Sequence, residues 1–169
     1  AMSSGRTRTI GAIVPMIDNP SFARGIESLQ RYLSAQGYLL LLATCGYDSG
    51  AEFRQAQNMV SRGIDGLVLV GDVHAEALRR MVASQRIPCI HASIYHPDKP
   101  YASVGVDNEK AGHRACRFLI DLGHRSIAMV AGLTANNDRN MARVNGVRRA
   151  MHEAGIALPG RQIRNVTTA

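Results

Sequence analysis

The sequence is poor in cysteine, in lysine and in long apolar runs, and each shortage closes off a class of protein. Cys45, Cys89 and Cys116 are too few and too far apart for a disulfide framework. They read as reduced core or near-core residues of a cytosolic protein. Lys99 and Lys110 are the two lysines, so the net charge of +7 comes from arginine. Arg31, Arg54, Arg62, Arg79, Arg114 and Arg125 are scattered along several elements, as solvated helix faces are, whereas a nucleic-acid surface would cluster them. No apolar run approaches the roughly 20 residues of a membrane span. The opening Ala-Met-Ser-Ser-Gly lacks the apolar stretch of a secretory signal, and residues 1–8 read as a cloning scar or linker.

Catalytic and metal signatures are missing too. There is no Gly-x-Gly-x-x-Gly after the first strand, no phosphate loop ending in Gly-Lys-Ser/Thr, no Gly-x-Ser-x-Gly and no His-Glu-x-x-His. Asp18 and Asp72 supply part of a phosphorylatable receiver's acidic set, but their flanks do not fit. His91 and His96 flank a strand end with no cysteine or second carboxylate paired to them in sequence. No catalytic residue, metal or cofactor is expected.

What the chain does have is a strand–helix rhythm. Its 169 residues, 46% hydrophobic, suffice for one ordinary domain or two small lobes. Thr9–Val14 reads as a strand, followed by a helix with Asn19 as cap, Pro20 in its first turn and Phe22, Ile26, Leu29 and Leu33 as an apolar stripe. Gly37 closes that helix, and residues 38–43 form an apolar run suited to a strand buried on both faces. The unit repeats with a helix marked by Phe53, Ala56 and Val60, a strand at 66–70, a helix carrying Leu78, Met81 and Val82, and a strand at 87–92. Successive β-α-β crossovers predict a parallel sheet with right-handed connections, and such sheets place ligands at the carboxyl ends of their strands.

After Ala92 the rhythm breaks into a loop and a short strand at 102–106. Asp107 caps a further helix whose expected buried side is Ala111, Ala115, Phe118, Leu119 and Leu122. A strand at 126–131, a helix from about Arg139 to Ala154, a loop around Pro159-Gly160 and a polar tail complete the reading. Residues 108–169 supply too few elements to close a sheet, which predicts apolar surface left exposed in this half.

Taken in order, Ile10-Gly-Ala-Ile-Val-Pro15, Asn19-Pro20-Ser21-Phe22, Gly37-Tyr38, Gly63-Ile-Asp-Gly-Leu-Val68, Ile87-Pro88, Val106-Asp-Asn108, Leu122-Gly-His-Arg125 and Ala131-Gly132 resemble the effector-binding region of the LacI/GalR family of transcription regulators. The resemblance runs from about residue 8 to 158. It implies an α/β, periplasmic-binding-protein-like fold: a parallel sheet flanked by helices, with an N-terminal lobe at 9–107 and part of a C-terminal lobe at 108–169. It implies a small-molecule effector, a sugar or sugar acid, held between lobes; a homodimer in the cytoplasm; and operator DNA read by a helix-turn-helix outside this chain. The alternative is a periplasmic solute-binding protein for a sugar.

By the same resemblance, Asn19, Ser21 and Phe22 line the cleft after the first strand. Ser93 stands after the fourth strand, where an acidic residue of the family often holds sugar hydroxyls. Arg143, three residues before Gly146, matches the cleft arginine of an Arg-x-x-Gly helix start, and its planar fork suits paired hydroxyls or a carboxylate. Arg139 and Asn137 lie one turn earlier and complete the set. Two arginines facing the cleft would favour an anionic effector such as a sugar acid or sugar phosphate.

Overall fold

The computed structural model describes residues 6–157 and 160–166. The reading of residues 1–5 as a scar, and Pro159, lie outside that range. By their contacts the described residues form two compact units, one of residues up to Ala92 together with Lys99–Ala102, the other of Ser93–Asp98 and Ser103 onward.

The first unit is built on strands β1 (Thr9–Val14), β2 (Leu39–Thr44), β3 (Gly66–Val70) and β4 (Cys89–Ala92), which pair in parallel. With β5 (Ala102–Val104) the sheet order is β2-β1-β3-β4-β5. Helices α1 (Pro20–Ala35), α2 (Ser49–Ser61) and α3 (Glu76–Ser84) connect the first four strands. Caps act where polar residues precede helices: Asn19 accepts from Ser21 N at 2.9 Å, and Asp48 from Gly50 N at 2.7 Å and Ala51 N at 3.1 Å. The core lies on one face of the sheet, where Ile13, Leu67 and Leu69 meet Ala56 and Met59 of α2 and Leu78 of α3.

Two expectations fail in this unit. Strand β2 is not buried on both faces; it is the sheet's edge, with Leu39 66% exposed. A continuous apolar run reports apolar neighbours on each face and carries no information about which lateral position the strand takes. Strand β4 starts at Cys89 rather than Ile87, because Pro88 offers no N–H to a ladder and contributes its carbonyl, which accepts from Leu67 N at 2.8 Å. The stripe of α1 is only half-buried, and no residue of that helix is fully so.

The second unit holds α4 (Asn108–Asp121), α5 (Asp138–Glu153) and a parallel pair, β6 (Met129–Gly132) and β7 (Ile163–Val166). The polar tail is thus partly a strand, preceded by one 3₁₀ turn at Gly160–Gln162. Here the expected buried side of α4 is wrong. Gly112, Cys116 and Ile120 face inward, while Ala111, Ala115, Leu119 and Leu122 are exposed and Phe118 is 65% exposed. The physical reason is the approach of α5. A Cβ on Gly112 would lie 2.9 Å from Arg143 Cα and closer still to its carbonyl oxygen, and one on Gly146 would lie 2.7 Å from His113 N and closer still to Glu109 O. The two backbones touch through glycines, so the small residues choose the face and the larger apolar ones are turned out.

Among the described residues, four of the five α-helices end alike. Gly37, Gly63, Gly123 and Gly155 follow the C-caps of α1, α2, α4 and α5 with φ between 67° and 93°. After α3 the same position is Arg86, φ 52°, a conformation that costs a side-chain-bearing residue about 1–2 kcal/mol relative to glycine.

Candidate functional site

Six of the seven expected site residues fall into two groups, each within one unit, and Ser93 stands apart from both. In the first unit Asn19, Ser21 and Phe22 stand together at the start of α1, after the carboxyl end of β1. Asn19 Oδ1 is committed to the cap, Ser21 is exposed and Phe22 is half-buried.

In the second unit Asn137, Arg139 and Arg143 gather on the first two turns of α5, just after β6. Asn137 is buried and its side chain accepts from Asn140 N at 3.3 Å, capping the helix. Arg139, 6% exposed, donates to Asp138 Oδ1 at 2.9 Å, so its charge is neutralised locally. Arg143, half-buried, donates through Nη1 to Asn140 Oδ1 at 2.8 Å. Asn140 also donates to Leu133 O at 3.0 Å, tying the arginine to the loop that leaves β6. This arrangement presents a half-buried guanidinium whose position is fixed by an amide, the kind of preset fork that carboxylates, phosphates and vicinal hydroxyls accept.

Ser93 belongs to the second unit by its contacts. Its φ of 65° is left-handed, and its carbonyl accepts from Asn108 Nδ2 at 2.9 Å. Asn136, at the foot of α5, is left-handed too, with φ 52°. Non-glycine residues held there after strand ends are a recurring mark of ligand-facing loops.

One polar cluster escaped the sequence reading. Glu52 and His74 are both buried, with His74 Nδ1 3.0 Å from each carboxylate oxygen. His74 Nε2 donates to Gly71 O at 3.1 Å, and His91 Nδ1 donates to the same carbonyl at 2.9 Å. Burial holds the His91 imidazole below its ordinary range, and the Gly71 carbonyl only partly offsets this. Tyr101 donates to Asp72 Oδ1 at 2.6 Å and packs on His91. The members come from α2, the loop after β3, β4 and the segment before β5, and no spacing rule joins them. The available signal was an acid in the first turn of α2 at a position that the helix buries. Among the described residues no group of three or more His, Cys, Asp or Glu side chains is placed to hold a metal ion. No helix among them is long and apolar enough to cross a membrane.

Comparison with known proteins finds similar chains among transcription regulators. Catabolite control protein A of Priestia megaterium is 28% identical over 156 residues, which are 92% of this chain and 47% of that protein. The crystal structure of a LacI family transcriptional regulator from Silicibacter pomeroyi superposes with a TM-score of 0.84 at 28% identity, covering 94% of this chain and 58% of that one. The Cra transcriptional dual regulator of Pseudomonas putida, solved in complex with fructose 1-phosphate, matches at a TM-score of 0.78 and 24% identity over 96% of this chain and 58% of that one. The chain spans about half the length of the curated relatives it matches. Over residues 7–169 it matches the family described as periplasmic binding proteins and sugar binding domain of LacI family, and it belongs to that family.

Proposed function

We propose that this chain is the effector-sensing region of a LacI-type transcription regulator, with residues 9–107 forming an N-terminal lobe and 108–169 part of a C-terminal one. The effector is a sugar, sugar acid or sugar phosphate, with an anionic group favoured by Arg143. Operator DNA is bound by the whole protein through a helix-turn-helix outside this chain, as a cytoplasmic homodimer. The observation that carries this reading is the preset Arg143 on the first turns of α5, in a chain matched to the family over residues 7–169.

Asn19, Ser21, Phe22, Ser93, Asn137 and Arg139 join Arg143 as effector contacts in this reading. Asn19 and Asn137 then have two duties, since each also caps a helix. Effector binding changes operator affinity, and linkage requires operator to change effector affinity by the same factor, typically worth about 1–3 kcal/mol. The regulator reading is preferred to a periplasmic solute-binding protein because the Silicibacter pomeroyi protein named above is a transcriptional regulator of the LacI family.

The test is an operator-binding assay on the full-length protein, screened with neutral sugars, sugar acids and sugar phosphates. An anionic sugar should shift operator affinity, and Arg143→Ala should abolish the response while thermal unfolding of the variant remains cooperative. A response retained in the folded variant removes Arg143 from the site.

A further inference from the structure

A cavity of about 490 Å³ lies between α3 and strand β4 in the first unit, within the size range of small-molecule sites. None of the seven residues assigned above to the effector lines it. Its floor is apolar, from Leu69, Leu78, Val82 and Cys89, and one wall is aromatic. The His91 and Tyr101 rings stack there with centroids 4.3 Å apart and planes tilted by 33°. Burial keeps His91 neutral near pH 7 and pushes the Cys89 thiol up to about 11, so both present uncharged surface. Asp72, the acid of the lining, accepts from Tyr101.

Cations stand at the rim. Arg79 donates through Nη2 to Asp72 O at 2.8 Å. Arg86 occupies the left-handed position that glycine fills after each of the other four helices. Glycine would serve the backbone better, so the side chain is what that position gains, and it lines the cavity. An arginine kept at a conformational cost beside a cavity points to a ligand with negative charge.

We propose that this cavity binds a small aromatic carboxylate, its ring against the His91–Tyr101 wall and its carboxylate on Arg86. An apolar floor disfavours sugars, whose hydroxyls would be buried without partners. A guanidinium fork matches a carboxylate through two parallel hydrogen bonds. The ligand is thus chemically unlike the sugar effector, and the site adds a second input to the sensing region.

The test is an NMR titration of the full chain with benzoate, with benzamide as its uncharged isostere. Benzoate should shift the amides of Leu78–Arg86 and Cys89–His91 saturably in the millimolar range, with benzamide at least tenfold weaker. Arg86→Gly installs the residue the backbone prefers, so the variant folds, and it should weaken benzoate at least tenfold. Ala83→Phe, on the exposed side of α3 at the cavity's edge, should block both ligands. Absence of saturable shifts, equal binding of benzamide, or full binding by Arg86→Gly overturns the proposal. Shifts at these amides that depend on protein concentration rather than on benzoate also overturn it, and would make the cavity a contact between copies.

Discussion

The two units solve the same packing problem with different materials. The first buries Ile13, Leu67, Leu69 and Leu78 between a sheet and two helices, an interior of branched aliphatic side chains that interdigitate. The second rests on α4 against α5, where Gly112 and Gly146 let the backbones touch and Cys116, Ala150 and Met151 fill around them. The second core adds to its apolar side chains, Ile120, Ile127, Val147 and Met151 among them, a close backbone contact between helices that the first lacks among the described residues. On α4, therefore, residue size misleads about burial: Gly112 faces inward while Phe118 is exposed.

The largest effect that would break this comparison is Gly146→Ala. The added methyl collides with the backbone of α4, which cannot rotate away, and should cost about 3 kcal/mol or more. Hydrogen exchange resolved by unit should show the loss in α4 and α5 while β1–β4 keep their protection. A fully tolerated alanine would mean that the helices are not held at this distance. In the first unit the comparable loss needs a deletion. Leu69→Ala should cost about 3 kcal/mol, whereas Leu69→Met, which conserves volume, should cost less than about 1.5 kcal/mol by denaturant unfolding.

Acid should separate the units next. The His91 pKa is depressed in the folded state, so its contribution is complete above the unfolded value of 6.5 and is lost as pH falls through the folded one. Glu153, held low by its hydrogen bond from His113, acts in the same direction but only below 4.5. Exchange protection should therefore fall first in the first unit, below about pH 6.5, and His91→Gln should flatten that first decline. Simultaneous loss in both units would show that they unfold as one.

Smaller still, Phe118→Ser on the exposed face of α4 should change stability by no more than about 0.5 kcal/mol. A larger loss would mean that this face is covered in solution. Arg86→Gly should stabilise the first unit by up to about 1 kcal/mol, because relief of the left-handed strain exceeds the extra freedom glycine brings to the unfolded chain.

Much of the fold was legible because strands and caps announce themselves locally. Asn19 and Asp107 precede their helices and accept from the first turns, Asp107 from Lys110 N at 2.9 Å. Residues 9–14 and 66–70 form strands with the bounds the sequence suggests. The inward face of α4 was not legible. Its apolar pattern offers two faces, and the choice is made by a glycine 34 positions away on another helix. The candidate site was less legible still. Arg143 comes only from the family resemblance, and the amide that fixes it, Asn140, and the Glu52–His74 pair are joined only by folding.

The contact of Gly112 with the Arg143 backbone has a mechanical meaning. With no side chain between the helices to change rotamer, nothing at that crossing can absorb a displacement by repacking. The start of α5 and the start of α4 then act as two ends of one stiff lever. Asn108, the first residue of α4, holds the carbonyls of Ser93 and Val106 through its Nδ2, at 2.9 and 3.1 Å. A displacement of α5 at this crossing would meet the backbone of α4 directly, with no rotamer change to take it up, and the glycine that looks like missing material is what removes that slack.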